Sequence, residues 1–279
     1  MDAVTKKQLE IIATKIRMAV IEGTYNAKCG HPGGSLSIAE DLAVLYFSEM
    51  NVDPANPDWA DRDRLVLSKG HAAPALYGAL ALRGYFPEDW IPNLRQVSSP
   101  LQGHPDMKGT PGVDMSTGSL GQGVSTAVGM ALAGKLDKKN YRVYAILGDG
   151  EIGEGQVWEA AMFASAKGLN NLTIIVDNNN LQIDGTVEEV NSSYPIPEKF
   201  AAFGFNVIEI DGNDLEQVEA AVQQSKTADK PTAIVQKTLK GKGVSFMENQ
   251  CSWHGSAPNK EQYDVAMAEL TARLAELEG

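Results

Sequence analysis

The sequence predicts an α/β fold in which a parallel sheet is flanked by helices. Short apolar runs of strand length alternate with longer stretches in which apolar residues recur every three or four positions, the pattern of helices. The predicted strand–helix–strand units are 142–147, 154–167 and 172–176, followed by 205–210, 215–224 and 232–236. Because such units join parallel strands through a right-handed crossover, they predict one parallel sheet.

The other elements are predicted from periodicity and turn residues. Leu9, Ile12 and Ile16 place an apolar face on a helix over 5–22. The remaining predictions are a helix at 38–47 with Ser37 as its N-cap, a strand at 64–67, and helices at 74–83, 123–135 and 262–276. Residues 93–123 are rich in glycine and proline, and so long a loop in a compact domain is usually functional.

The composition excludes several classes of protein. The 279 residues contain 24 Lys and Arg against 36 Asp and Glu, a net charge of −12, whereas binding nucleic acid or an anionic membrane requires a basic surface. A phosphate ligand needs only a locally positive pocket. Two cysteines are too few for a disulfide framework, and no apolar run is long enough to span a membrane. We therefore expect a cytoplasmic protein and, with no shift in composition, a single domain over 1–279.

Two polar loops follow consecutive predicted strands. Gly148-Asp149-Gly150 ends one strand and Asp177-Asn178-Asn179-Asn180 ends the next. Ligands bind beyond the carboxyl ends of parallel strands, so Asp149 and Asn179 are expected in one crevice. Carboxylate and amide oxygens suit Mg²⁺ or Ca²⁺, and a diphosphate with water commonly completes such a site. Each loop alone could be a plain turn, but their spacing across one strand–helix–strand unit favours a shared site.

All four histidines adjoin a glycine in a predicted loop. They are His31, His71, His104 and His254. A single histidine is more often structural than catalytic, but four of four in this context are unlikely to serve core packing. Neutral imidazoles hydrogen-bond phosphates and hydroxyls and transfer protons near pH 7. No His or Cys pair has zinc-ligand spacing, so a zinc centre is not predicted.

Other candidate motifs are weaker. Gly121-Gln122-Gly123 lacks the third glycine of a dinucleotide fingerprint, and Lys240-Gly241-Lys242-Gly243 lacks the spacing of a P-loop. No Gly-x-Ser-x-Gly nucleophile motif occurs. Glu154 and Glu159, five residues apart near a helix start, are most simply explained as a solvated helix face.

Together the motifs resemble those of the transketolases, a family of thiamine diphosphate enzymes. The segment from Gly148-Asp149-Gly150 to Asn179 resembles the family's diphosphate signature. The further matching motifs occur in the family's order: Gly30-His31-Pro32-Gly33, Ser68-Lys69-Gly70-His71, Gly103-His104-Pro105-Asp106, Thr117 to Gly123, Ile183-Asp184-Gly185 and His254-Gly255. The resemblance implies the diphosphate-binding domain of the thiamine diphosphate-binding fold.

The resemblance also implies roles for single residues. A Mg²⁺ or Ca²⁺ ion would be held by Asp149, Asn179 and the backbone carbonyl of Leu181. Thiamine diphosphate would be contacted by His71, Gly118, Ser119, Leu120, Gly150, Glu154, Asn179 and His254. The histidines that would hydrogen-bond the sugar hydroxyls and assist their proton transfers are His31, His104 and His254.

Some positions depart from the family pattern. Asn178, Asn180 and Leu181 stand where many members have other residues. These changes remove no ligand, because Leu181 would act through its backbone. Glu154 and Glu159 match acidic positions that lie at the subunit interface in the family.

The chain resembles the N-terminal subunit of a two-chain transketolase. The pyrimidine-binding domain, its glutamate and the arginines that grip the sugar phosphate would reside on a C-terminal subunit, in a heterotetramer with two copies of each chain. The pair would transfer a two-carbon ketol unit from a ketose phosphate to an aldose phosphate, as in the pentose phosphate pathway. The metal with His71 and His254 is expected to supply the positive field for the diphosphate.

Three alternatives remain open from the sequence. One is another thiamine diphosphate enzyme, similar to 1-deoxyxylulose-5-phosphate synthase or to the alpha subunit of a two-oxoacid dehydrogenase. Against it, His31 and His104 suit a polyhydroxylated substrate. A second is a transketolase for an unusual branched sugar phosphate. A third is a non-catalytic scaffold, against which the retained metal ligands and histidines argue.

Overall fold

The structure of the chain is a computed structural model that describes residues 1–279. The strands are β1 (Arg64–Leu67), β2 (Val143–Gly148), β3 (Leu172–Asn178), β4 (Asn206–Asp211) and β5 (Thr232–Lys237). The helices are α1 (Ala3–Ala27), α2 (Pro32–Leu36), α3 (Ala39–Val44), α4 (Ala73–Arg83), α5 (Gln122–Leu136), α6 (Gly155–Ala166), α7 (Val187–Asn191), α8 (Ile196–Ala202), α9 (Leu215–Thr227) and α10 (Lys260–Glu278). None of these helices is both long and apolar enough to cross a membrane.

The five strands form one sheet with the order β1-β2-β3-β5-β4, and every neighbouring pair is parallel. This confirms the predicted α/β architecture. The sequence did not predict that β5 would lie between β3 and β4. The order matters, because it brings the carboxyl end of β5 beside that of β3, with Asp177 paired to Gln236 in the register.

Two hydrophobic cores cover the two faces of the sheet. Along β2, Tyr144 and Ile146 belong to the core shared with α1, α3, α4 and α9. Ala145 and Leu147 belong to the opposite core, shared with α5 and α6. Successive side chains of a strand point to opposite faces, so a strand buried on both faces must be apolar at every position. This explains the continuous apolar run from which the strand was predicted.

The helix predicted at 38–47 is present over residues 39–49, as α3 followed by a π-helical turn over Leu45–Glu49, but the prediction of Ser37 as its N-cap is wrong. Ile38 occupies the N-cap of α3, and no side chain caps it. The Ser37 hydroxyl instead donates to Oδ2 of Asp177 over 2.7 Å. A charged acceptor on β3 binds this hydroxyl more strongly than a neutral helix terminus would, so Ser37 belongs to the sheet edge.

The long segment before α5 has no regular element after the 3₁₀ turn Glu88–Asn93, as predicted. It is nevertheless anchored to β1. The Asp114 carboxylate accepts from the Leu65 amide over 2.8 Å, and the Thr117 hydroxyl donates to the Leu67 carbonyl over 2.7 Å. The segment therefore crosses the carboxyl end of β1, where His104 and Gly118 reach the same edge of the sheet as His71.

Candidate active site

A cavity of about 300 Å³ opens at the carboxyl edge of the sheet. Its lining includes most of the residues predicted from sequence: Asp149, Asn179, Leu181, Gly150, Glu154, Leu120, His71 and His254. A larger cavity of about 580 Å³ is lined by residues of α1 and α10 and contains none of them. The smaller cavity is therefore the candidate site, because it gathers the predicted chemistry.

Asp149 supplies a buried carboxylate with free lone pairs. The side chain is buried, and each oxygen accepts one backbone N–H, from Gly150 over 2.8 Å and from Asn180 over 2.5 Å. A carboxylate oxygen can accept more than one bond, so both retain acceptor capacity. Burial, followed by the charge of Asp177, raises the pKa of Asp149 to about 7. A carboxylate destabilised in this way gains strongly from a bound cation.

Asn179 and Leu181 complete a set of oxygen donors. The Asn179 side-chain oxygen accepts from the Leu181 amide over 3.1 Å, and the Leu181 carbonyl accepts from the Lys240 ammonium over 3.1 Å. Each keeps one lone pair. No cluster of three or more His, Cys, Asp or Glu side chains could hold a metal. The donor chemistry thus fits a hard cation such as Mg²⁺ that draws its other ligands from a phosphate and water.

A buried ion pair lies beneath this donor set, and the sequence did not predict it. Lys69 and Asp177 are 1% and 0% exposed and lie 2.5 Å apart. The Asp177 carboxylate also accepts from Ser37, Asn179 and Thr238. Burial works to raise the pKa of Asp177, but Lys69 and these donors together hold it below its usual value. The pair orients Asn179, because Asp177 binds the amide nitrogen and leaves the oxygen for the cavity.

Lys240 is the second functional residue that the sequence did not predict. Its ammonium lies between the Leu181 carbonyl and Nδ1 of His254, 3.1 Å from each. Because lysine only donates, Nδ1 of His254 accepts and the ring proton sits on Nε2. Burial, and then the charge of Lys69, lowers the pKa of Lys240. Because Lys69 is paired with Asp177, Lys240 supplies the local positive charge of the cavity within a chain of net charge −12.

The expectation that His71 and His254 supply positive charge is wrong. Burial lowers the pKa of His71 well below its usual value, with Lys69 adding to the effect. Burial and the charge of Lys240 lower the pKa of His254 to about 3. Both imidazoles are therefore neutral at pH 7. The positive field for an anion comes from Lys240, because Lys69 is paired with Asp177, and the histidines contribute hydrogen bonds.

All four histidines form one continuous cluster in the structure. The ring centroid of His31 lies 5.3 Å from that of His71, 5.5 Å from His254 and 6.0 Å from His104. His71 and His254 are 5.0 Å apart. Burial, together with its charged neighbours, lowers the pKa of His31 to about 4. Nδ1 of His31 is buried without a hydrogen-bond partner, an arrangement typical of functional sites rather than of core packing.

Gly118 and Ser119 lie at the border of the site and do not line its cavity. Gly118 has φ of 145°, and a Cβ there would lie 3.1 Å from Cγ of His104. Only glycine combines this backbone angle with so close an approach. Ser119 is exposed, and Leu120 lines the cavity with 37% of its surface exposed. The loop thus positions His104 and presents Leu120 to the cavity mouth.

The acidic residues at the start of α6 occupy different positions. Glu154 is exposed and lines the cavity, whereas Glu159 is exposed on α6 and does not line it. Glu151, which the sequence did not single out, is buried and accepts from the Ser68 hydroxyl and the Gly121 amide. Glu151 therefore fastens β1 and the start of α5 to the loop that carries Asp149.

The lowered pKa values of the clustered histidines predict how the chain titrates and how its stability depends on pH. We expect ¹H–¹³C NMR titration of the purified chain to show His31 titrating at about 4 and His254 at about 3. Because these pKa values lie below the unfolded value near 6.5, the unfolded state binds more protons in this window. These histidines therefore lower the free energy of unfolding progressively as the pH falls from about 6.5 to about 3.

Lys240→Met provides the matched variant for this titration. Removing the ammonium beside Nδ1 should raise the pKa of His254 and leave that of His104 nearly unchanged, since Lys240 contributes to the shift of the first only. Titration of His254 near 6.5 in the unmodified chain would contradict this picture of the site.

The family of the chain follows from comparison with known proteins. Residues 8–272 match the family model described as transketolase, thiamine diphosphate binding domain. The chain is 49% identical over 259 residues to the 6-deoxy-6-sulfo-D-fructose transketolase subunit SqwG of Clostridium sp. (strain MSTE9), covering 92% of this chain and 94% of that protein. It is 42% identical over 271 residues to an apulose-4-phosphate transketolase subunit of Phocaeicola vulgatus, covering 97% and 96%.

Solved structures give the same result. The crystal structure of transketolase from Campylobacter jejuni superposes with a TM-score of 0.90 at 32% identity, covering 99% of this chain and 46% of that one. A Pichia stipitis transketolase solved with sedoheptulose-7-phosphate gives 0.86 at 29% identity, with 98% and 44% covered. This chain thus spans less than half of these transketolases, whereas it spans nearly all of the two relatives named as subunits. The predicted resemblance is confirmed: the chain belongs to the transketolase family and corresponds to its thiamine diphosphate-binding domain.

Proposed function

We propose that the chain is the N-terminal subunit of a thiamine diphosphate-dependent transketolase. The observation that carries the proposal is the convergence of three oxygen donors, two buried lysines and four neutral histidines at one edge of the sheet. The oxygens suit a hard cation, Lys240 suits a diphosphate, and the histidines suit a polyhydroxylated substrate. A non-catalytic scaffold would need none of these arrangements.

The residues present fit thiamine diphosphate with Mg²⁺, or with Ca²⁺ in its place. Asp149, Asn179 and the Leu181 carbonyl would hold the metal, while Lys240, His71 and His254 would hold the diphosphate. Gly150 would admit it closely, because glycine has no side chain in the way. Gly118, Ser119, Leu120 and Glu154 would border the rest of the cofactor. When bound, thiamine diphosphate supplies the nucleophilic carbon that breaks and forms carbon–carbon bonds to the sugar.

The histidines perform the proton chemistry in this proposal. His31 and His104 lie next to the cavity without lining it and bind sugar hydroxyls. Both have a lowered pKa and are neutral near pH 7, so each can accept or donate a hydrogen bond. His254 keeps its proton on Nε2, because Lys240 occupies Nδ1. It can therefore donate to a developing oxyanion.

A second chain completes the site in the proposal. This chain spans nearly all of two relatives named as transketolase subunits but under half of single-chain transketolases. A C-terminal subunit with the pyrimidine-binding domain would cover the exposed mouth at Leu120, giving a cytoplasmic heterotetramer in carbohydrate metabolism. The substrates are anionic sugars. The pentose phosphates are one set, and the names of the two relatives support 6-deoxy-6-sulfo-D-fructose or apulose-4-phosphate as another.

Reconstitution tests this proposal. We expect the purified chain to transfer no ketol unit in the presence of thiamine diphosphate, Mg²⁺ and a sugar phosphate pair, and to do so once the C-terminal subunit is added. The measurement is product formation by mass spectrometry, with the isolated C-terminal subunit as the control. Turnover by this chain alone would show that no partner is needed and would refute the two-chain assignment.

A further inference from the structure

A second cavity, larger than that of the candidate active site, borders the core on the α1 and α9 side of the sheet. Its volume is about 580 Å³, against about 300 Å³ for the active-site cavity, and the two cavities share no lining residue. One wall is a stripe of α1 made of residues three or four apart: Lys6, Glu10, Ala13 and Arg17. Cavities of about 300–1,000 Å³ are typical of small-molecule sites.

This cavity lies beyond the carboxyl ends of two strands. Asn213 and Lys242, which follow β4 and β5 in the chain, both line it. The proposed metal ligands instead follow β2 and β3, so the second cavity lies beside the next two strands of the same edge. Ligands of open parallel sheets bind at this edge, and the position therefore suits a binding site.

Cations outnumber carboxylates in the lining of the second cavity. The cations are Lys6, Arg17, Lys242 and Arg273, and the carboxylates are Glu10, Glu40 and Asp214. The Glu40 carboxylate accepts two hydrogen bonds from Arg17. The Asp214 carboxylate accepts from two backbone amides at the start of α9, and Glu10 lies 3.8 Å from Arg273. Each carboxylate of the lining thus already has a partner.

The Lys242 ammonium has none. The side chain is half-buried in the cavity lining, and it forms no hydrogen bond and no ion pair. The lysines that do form ion pairs are Lys6, Lys15, Lys69, Lys139, Lys226 and Lys260. In a chain with 36 Asp and Glu residues, an unpaired ammonium inside a cavity is available to an anionic ligand.

Two further donors in the lining are buried without a partner. Arg17 is 6% exposed; both of its hydrogen bonds to Glu40 come from Nη2, and its Nε has no acceptor. The Asn213 side chain accepts from the Leu239 amide through Oδ1 over 2.9 Å, while its Nδ2 has no acceptor. Because buried donors are nearly always satisfied, the cavity lacks acceptor oxygens that a ligand would supply.

Gly243 leaves room beside Arg17. Its φ is 89°, and a Cβ there would lie 2.9 Å from Cδ and 3.3 Å from Nε of the arginine. A side chain at this position would fill the part of the cavity between Arg17 and the loop that carries Lys242.

We propose that this cavity is a second ligand site, which binds a small metabolite through a phosphate or carboxylate group held by Lys242, Arg17 and the Asn213 amide. The free atoms of these three side chains are all donors, and an oxyanion offers only acceptors. The inference goes beyond the proposed function and does not rest on it, because the two cavities share no residue.

NMR titration of the ¹⁵N-labelled full chain tests this proposal. Inorganic phosphate and acetate are added separately at constant ionic strength, and we expect saturable shifts of the Gly243 and Leu215 amides. Lys242→Gln should weaken the affinity measured at these amides about 10- to 100-fold, the range for a lost hydrogen bond to a charged group. Lys230→Gln removes an exposed, unpaired lysine before β5 and should leave the affinity unchanged. The anion that saturates at the lower concentration identifies the bound group.

The same titration separates the second site from the active site, which has its own cation in Lys240. Lys240→Gln should weaken the anion response of His254 without changing the affinity measured at Gly243. Lys242→Gln should do the reverse. If the Gly243 response were lost in Lys240→Gln and retained in Lys242→Gln, the anion would belong to the active site and the proposal would be overturned.

Arg17→Lys examines the buried donor. The variant keeps a cation for Glu40 but removes the Nε donor, so the affinity should fall while circular dichroism shows an unchanged fold. If this variant does not fold, Lys242→Gln decides the question, because its side chain has no partner to lose. Responses to both anions that stay linear without saturating, or equal affinities in the wild-type chain and Lys242→Gln, would overturn the assignment.

Discussion

Asp149→Ala is expected to lower the affinity of the two-chain enzyme for thiamine diphosphate and Mg²⁺ by more than about 100-fold. Residues that only orient metal ligands typically cost 10- to 100-fold in affinity when they are removed, and Asp149 supplies the one carboxylate among the proposed ligands. Calorimetry with the cofactor, in the presence and absence of Mg²⁺, measures the effect. The metal dependence of binding should disappear together with the affinity.

The same change should leave the fold intact. Burial raises the pKa of Asp149 to about 7, so the loss of its unfavourable charge offsets part of the cost of the two backbone hydrogen bonds that it accepts from Gly150 and Asn180. Asp137→Ala removes an exposed carboxylate at the end of α5 and serves as the control, with unchanged cofactor affinity. Unchanged affinity in Asp149→Ala would mean that the metal site has been assigned to the wrong residues.

Lys69→Met is expected to lower the free energy of unfolding by about 3–5 kcal/mol, because it leaves the buried Asp177 carboxylate without its cation. The exposed pair Lys260–Asp264, also 2.5 Å apart, is the matched control. Lys260→Met should cause no comparable loss of stability, since exposed pairs are screened by water. Urea denaturation of the purified chains measures both.

A double variant distinguishes ion pairing from simple packing at this position. In Lys69→Met/Asp177→Asn the buried charge is gone, so a large part of the stability lost in the single variant should return. A loss below about 1 kcal/mol for Lys69→Met, or no recovery in the double variant, would show that Asp177 does not depend on Lys69.

The adjacency of Asp149 and Asn179 could be predicted because it depends on one local unit of structure. Asp149 and Asn179 follow the two strands of a single strand–helix–strand unit, and such strands are commonly neighbours in the sheet. Gly148 and Asp177 are indeed paired in the register of β2 and β3. The adjacency needed no information about the rest of the chain.

Lys240 could not be predicted in the same way, because its position depends on the strand order. From the sequence alone, the only conclusion about Lys240-Gly241-Lys242-Gly243 is that it lacks the spacing of a P-loop. It reaches the site because β5 lies between β3 and β4, and several orders were compatible with the pattern of elements. The signal that could have identified it is a lysine shortly after a buried strand in a chain that must bind an anion.

Ser37 shows where local reasoning fails. A serine before an apolar helical stretch is a common N-cap, but the hydroxyl binds Asp177, which lies 140 residues away in sequence. The prediction that His71 and His254 supply positive charge was wrong for a related reason. Their neutrality depends on burial and on Lys69 and Lys240, none of which is visible in the glycine-flanked motifs.

The proposal that the two-chain enzyme transfers a two-carbon ketol unit is tested most directly by following the two transferred carbons. The two-chain enzyme is supplied with thiamine diphosphate, Mg²⁺, a ketose phosphate labelled with ¹³C at C1 and C2, and an aldose phosphate acceptor. We predict that both labelled carbons appear together at C1 and C2 of the new ketose, with no labelled CO₂. Label that stays in the donor, while pyruvate is decarboxylated by the same proteins, would contradict the account and identify a different thiamine diphosphate enzyme.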